Sequence, residues 1–127
     1  MEWSFPWDYR NKKVEERASR FPPVFSEEKA VSLAESLGAE VLFERLQKLR
    51  GGVFFRKGRS YIVVNQNLPQ RERAKTILHE VGHLLLHHAH YLRPVFLDHE
   101  IFVGGLEKEA DYFAYLLMRE WMKEWEE

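Results

Sequence analysis

Apolar positions along the chain recur at two periods, and the change from one to the other marks the elements. Ala30, Val31, Leu33, Ala34 and Leu37 fall at helical spacing. Ser26 before them is a good N-cap, and Glu27 and Glu28 suit the positive end of a helix dipole. They predict a first helix over about 27 to 37, closed by Gly38. Three short runs follow, Val41-Leu42-Phe43, Val53-Phe54-Phe55 and Tyr61-Ile62-Val63-Val64, separated by Gly51-Gly52 and by Lys57-Gly58-Arg59-Ser60. Rich in β-branched and aromatic residues, they predict a small antiparallel three-stranded sheet. Pro69 then opens a second helix over about 69 to 89, whose stripe is Ala74, Ile77, Leu78, Val81, Leu84 and Leu85. Ala110, Phe113, Ala114, Leu117 and Trp121 mark a third over about 106 to 124.

The remaining stretches lack a period. Residues 90 to 105, with Pro94 and Gly104-Gly105, predict a loop containing a short strand at Glu100 to Val103. Residues 1 to 25 carry six aromatics among three prolines and predict an extended arm, with a short helix around Lys13 to Ser19. The expected architecture is therefore α+β, one domain over 1 to 127, with the arm at 1 to 25 and the core at 38 to 121.

Composition narrows the chemistry. At 127 residues, 45% hydrophobic and 14% aromatic, the chain can bury one core. No N-terminal stretch has the basic, apolar and small-residue pattern of a signal peptide, and no apolar run nears the ~20 residues that span a membrane. A soluble, cytoplasmic protein with no membrane partner is expected. The absence of cysteine excludes disulfides, thiolate catalysis and Cys-type metal sites, so any metal must be held by His and carboxylates. Charge is unevenly spread: residues 45 to 75 hold nine Lys/Arg against Glu72 alone, while residues 98 to 127 hold nine acids against three bases. A basic middle suits nucleic acid or an acidic partner segment. With no nucleic-acid motif beside it, a solvated or internally matched charge is the favoured reading and nucleic acid is disfavoured.

The six histidines are the first place to look for metal. His79 and His83 are four residues apart on the second helix, about 40° around its axis and ~6 Å along it, so both imidazoles can reach one ion. Glu80 projects beside such an ion, where it can hold and deprotonate a water without being a ligand. A hydrolytic zinc needs a third protein ligand and an open position. Downstream candidates are Asp98, His99, Glu100, Glu107, Glu109 and Asp111. Glu107 and Asp111 share a face of the third helix, so one can ligate while the other accepts a hydrogen bond from a ligating histidine. Glu107 is favoured as ligand, ahead of Glu109, His99 and Glu100; Glu109 points ~200° from Glu107 and is expected to be solvated. His87 is assigned to the pocket wall, and His88 and His90 to the surface near the helix end.

The run Arg71-x-Arg73, Leu78-His79-Glu80-x-Gly82-His83-Leu84-Leu85-Leu86-His87, followed by Glu107-Lys108-Glu109-Ala110-Asp111-Tyr112-Phe113-Ala114 and Leu116-Leu117-Met118, resembles the ImmA/IrrE family of metallopeptidases. The resemblance covers about residues 38 to 118. It implies one Zn2+ on His79, His83 and Glu107, Glu80 as general base and Asp111 behind a ligand. The Glu107-x-x-x-Asp111 pair is also similar to the second motif of thermolysin-like enzymes, so a zincin-like fold is expected. The substrate class implied is a helix-turn-helix transcriptional repressor, here a separate protein, linked in the family to mobile elements or stress responses. A metal-bearing module that displaces its partner without cleavage is the alternative, and nucleic-acid binding through residues 45 to 75 the second. Tyr91, His99 and Tyr112 are the candidate donors to an oxyanion.

Overall fold

A computed structural model describes residues 9–86, 95–96 and 105–126. Elements run in the order α1 (Lys12–Ala18), α2 (Glu27–Ser36), β1 (Ala39–Glu44), β2 (Leu49–Arg56), β3 (Arg59–Asn65), α3 (Gln70–Leu86), β4 (Val95–Phe96) and α4 (Gly105–Lys123). Local capping explains two starts: the Asn11 side chain accepts from Val14 N, and that of Ser26 from Lys29 N. The second and third predicted helices appear as α3 and α4; residues 87–89 of the former lie outside the described residues. The expected strand at Glu100 to Val103, Trp3, Phe5 and Trp7 of the arm, and His87, His88, His90, Tyr91, Asp98, His99 and Glu100 also lie outside them.

The sheet corrects the sequence prediction. It is mixed rather than antiparallel, in the order β1-β3-β2-β4: β3 pairs parallel with β1 and antiparallel with β2, and β4 adds two residues at β2's other edge. β3 carries the longest apolar run, Tyr61 to Val64, and takes one of the two places bonded on both sides, between β1 and β2. The tight turn Lys57-Gly58, with φ of 52° and 79°, closes the β2–β3 hairpin in the manner of a two-residue turn. β1 reaches β2 through Arg45–Lys48 yet lies beside β3, a skip that consecutive runs cannot display.

Gly51-Gly52 is a second correction, since both residues lie inside β2 rather than in a turn. A Cβ on Gly51 would meet Val63 O at 2.3 Å and Thr76 Cγ2 at 2.9 Å. The missing side chain lets α3 lie close against the sheet, one turn before the paired histidines. Ala39, Val53, Ile62 and Val64 from the sheet join Ala74, Ile77, Leu78 and Val81 of α3 and Phe113, Ala114, Leu117 and Met118 of α4 in one core.

Charged pairs then fix α3. Arg50 Nη1 donates to Glu72 at 2.8 Å, and Arg73 grips Glu27 of α2 with two bonds at 2.7 and 2.9 Å. Arg17 of α1 donates to Leu85 O near the described end of α3. Part of the basic middle is thus matched internally.

Candidate metal centre

α3 and α4 pack against each other along the stretch that carries the histidines and the downstream acids. Their separation is set at Gly82. A Cβ there would lie 3.2 Å from Ala110 Cα and 3.3 Å from both Ala110 O and Phe113 Cδ2. Ala110 stands between Glu107 and Asp111, so this contact draws both acids toward His79 and His83. Gly82→Ala gains ~1 kcal/mol of helix propensity but pushes α4 outward, at a cost of about 1–3 kcal/mol. A net loss of stability with weakened metal binding is expected, measured by thermal melting with and without zinc; an unchanged affinity would show that the close crossing does not position the site.

Four donor atoms converge. His79 Nε2 lies 2.9 Å from Glu107 Oε1 and 3.1 Å from His83 Nε2, and His83 Nε2 lies 3.2 Å from Glu107 Oε2. Tetrahedral ligands at zinc bond lengths stand about 3.3 Å apart. Two imidazole nitrogens and a carboxylate at that mutual spacing could hold a metal ion, and the set has no thiolate. His79 and His83 are buried, while the Glu107 side chain keeps 22% of its surface open. A donor set closed on the core side and open at its carboxylate can leave a coordination position to solvent.

On its other side His79 Nδ1 lies 2.5 Å from Asp111 Oδ1. A carboxylate only accepts, so Nδ1 carries a proton, and once the imidazole loses its second proton it is Nε2 whose lone pair is free for the cluster. Asp111→Asn keeps an acceptor but removes the charge. A 10- to 100-fold weaker metal affinity is expected, read by competition with a chromophoric chelator; unchanged affinity would detach Asp111 from the centre.

Electrostatics follow from this crowding. Burial works against a charge on His79, but Asp111, Glu107 and the charge of Glu80 outweigh it and push the imidazole up to about 10. Burial likewise raises the Glu107 carboxyl, yet hydrogen bonds from His79 and His83 prevail and hold it well below the carboxylate range. Without an ion, the raised His79 pKa therefore stabilises the fold fully below the unfolded value of ~6.5, and that contribution fades as pH rises through about 10. A metal must displace this proton, so its apparent affinity should climb with pH, close to tenfold per unit between pH 7 and 9. Calorimetric titration in buffers of different ionisation enthalpy would show the released proton; no release would contradict the coupling.

Glu80 is fully buried beside the pair, and its charge is felt at His79. Glu109 departs from its expected solvated role: it bonds Lys13 at 3.3 Å and Asn11 at 3.4 Å, tying α4 to α1. Tyr112 points the same way, its hydroxyl donating to Glu15 at 2.5 Å and its ring packed edge-on to Tyr9. The sequence spacing of Glu109 from Glu107 placed it off the metal-facing line but could not show that α1 lies there. No helix among the described residues is long and apolar enough to cross a membrane.

Comparison with known proteins agrees with the geometry. The family profile described as Peptidase_M78, IrrE N-terminal-like domain, matches residues 34–121, more than two thirds of the chain. No curated protein and no solved structure matches.

Proposed function

Since the chain belongs to the ImmA/IrrE family of peptidases, we propose that it is a zinc-dependent endopeptidase acting on a separate helix-turn-helix repressor. The observation that carries the proposal is the convergence of His79 Nε2, His83 Nε2 and the Glu107 carboxylate within 3.2 Å of one another. His79, His83 and Glu107 hold the ion, Asp111 orients His79, and Glu80 serves as general base. Held there, zinc would supply Lewis acidity toward a water and a peptide carbonyl. Glu80 takes the proton of the attacking water and returns it to the leaving amine. Burial of Glu80 keeps bulk water from competing for that proton.

The donor to the oxyanion is not Tyr112, whose hydroxyl is engaged by Glu15. The repressor substrate rests on family membership and is tested directly. Zinc-loaded protein is incubated with native lysate, and new protein N-termini are scored against a Glu80→Gln control. Cuts in helix-turn-helix proteins are expected; cuts only elsewhere would overturn the substrate class. Retention of such a protein without any new N-terminus would favour the non-cleaving module instead.

A further inference from the structure

The sheet has two unlike faces. α2 and α3 pack on the face carrying Ala39, Val53, Ile62 and Val64, and the alternate residues point the other way. On that outer face the β2–β3 register builds a ladder of three cross-strand pairs: Arg56 opposite Arg59, Phe54 opposite Tyr61, and Gly52 opposite Val63. The rings of Phe54 and Tyr61 stack, with centroids 5.0 Å apart and planes 13° apart, and Phe54 is 40% exposed.

Two features of the ladder do nothing for the fold. Like charges directly opposite across a sheet destabilise it, yet Arg56 faces Arg59. Between them Lys57 occupies the left-handed region at φ 52°, where Asn, Asp or Gly is less strained. All three cations are exposed, and among the described residues their side chains have no ion pair or hydrogen bond. Other members of the same basic run are engaged within the protein: Arg50 by Glu72, Arg73 by Glu27, and Arg71 over the Trp125 ring. Among the described residues no anion answers the three hairpin cations.

We propose that this outer face binds single-stranded nucleic acid. Phosphates sit between Arg56 and Arg59, which relieves their mutual repulsion, and a base stacks against the Phe54–Tyr61 pair. Duplexes present no free base faces, so the ladder selects single strands. An acidic peptide would satisfy the cations but not the stacked rings. Arg45 and Lys48 lie in the β1–β2 connection at the other end of β2, about 25 Å away for an eight-residue strand. The proposal uses none of the metal-site residues and stands or falls separately from the peptidase reading.

Fluorescence anisotropy of the full chain with labelled 12-mers of dT and rU tests it. Binding at low salt is expected, with log K falling against log salt at a slope near −2 for three phosphate contacts. Phe54→Leu, which keeps apolar packing, should weaken binding roughly five- to hundredfold at fixed salt, as loss of a stacking ring does, with the slope unchanged. Arg56→Gln with Arg59→Gln should flatten the slope by about 1.4. Melting curves matching wild type confirm that both variants fold. The proposal is overturned by absent binding at low salt, by a duplex binding as tightly as the single strand, or by indifference to Phe54→Leu. Equal competition by a glutamate-rich peptide would instead assign the face to an acidic protein.

Discussion

Glu80→Gln is expected to abolish peptide hydrolysis while leaving the metal in place. Glutamine matches the carboxylate in shape and still hydrogen-bonds, but it cannot accept the proton of an attacking water. A positioned general base contributes about 10²–10⁴ to the rate, so kcat/KM should fall by that factor. Glu80 is fully buried, and removing its charge also removes a desolvation cost. The variant should therefore melt no lower than wild type, and its zinc content should be unchanged. Activity within tenfold of wild type would remove Glu80 from the proposed mechanism.

The second large effect concerns stability. If zinc occupies the proposed centre, where three donors from α3 and α4 converge only in the folded chain, it should stabilise by RT ln(1 + [Zn]/Kd), about 4 kcal/mol at a thousandfold excess over Kd. For a domain of this size that is a rise in Tm of roughly 10 °C or more, reversed by a chelator. His83→Ala removes a fully buried member of the candidate donor set and should make the Tm indifferent to both zinc and chelator. It should also lower the Tm of the metal-free protein, because a buried side chain of that size leaves a cavity. A wild-type Tm that ignores the chelator, or a variant that still responds to zinc, would contradict a centre built on His83.

Much of this was legible in the sequence because the informative spacings are local. The four-residue step from His79 to His83 and the matching step from Glu107 to Asp111 are fixed by helix geometry, and the helices themselves are strongly periodic. Gly82 is unfavourable in a helix interior, and the structure explains it by the 3.2 Å approach to Ala110. What the sequence could not convey is non-local. Strand order depends on which edges meet, so three apolar runs read as a meander when β3 in fact separates β1 from β2. Gly51-Gly52 resembles a turn because a glycine needed for close packing and one needed for a bend look alike in sequence. Glu109 and Tyr112 gained partners from α1, nearly a hundred residues away, which no helical wheel shows.

Charge followed the same division. The excess of Lys and Arg between residues 45 and 75 was plain, but its meaning depended on the fold. Arg50 and Arg73 hold α3 in place, while Arg56, Lys57 and Arg59 gather at one hairpin. Arg50 and Arg56 stand on the same strand, yet Arg50 is held by Glu72 while Arg56 faces Arg59.

Zinc per chain, measured by elemental analysis on wild type, Glu80→Gln and Glu107→Gln after dialysis against trace metal, tests the centre most directly. One equivalent in wild type and in Glu80→Gln, with little or none in Glu107→Gln, is the predicted result. A metal-free wild type, or loss of zinc from Glu80→Gln with retention in Glu107→Gln, would contradict it.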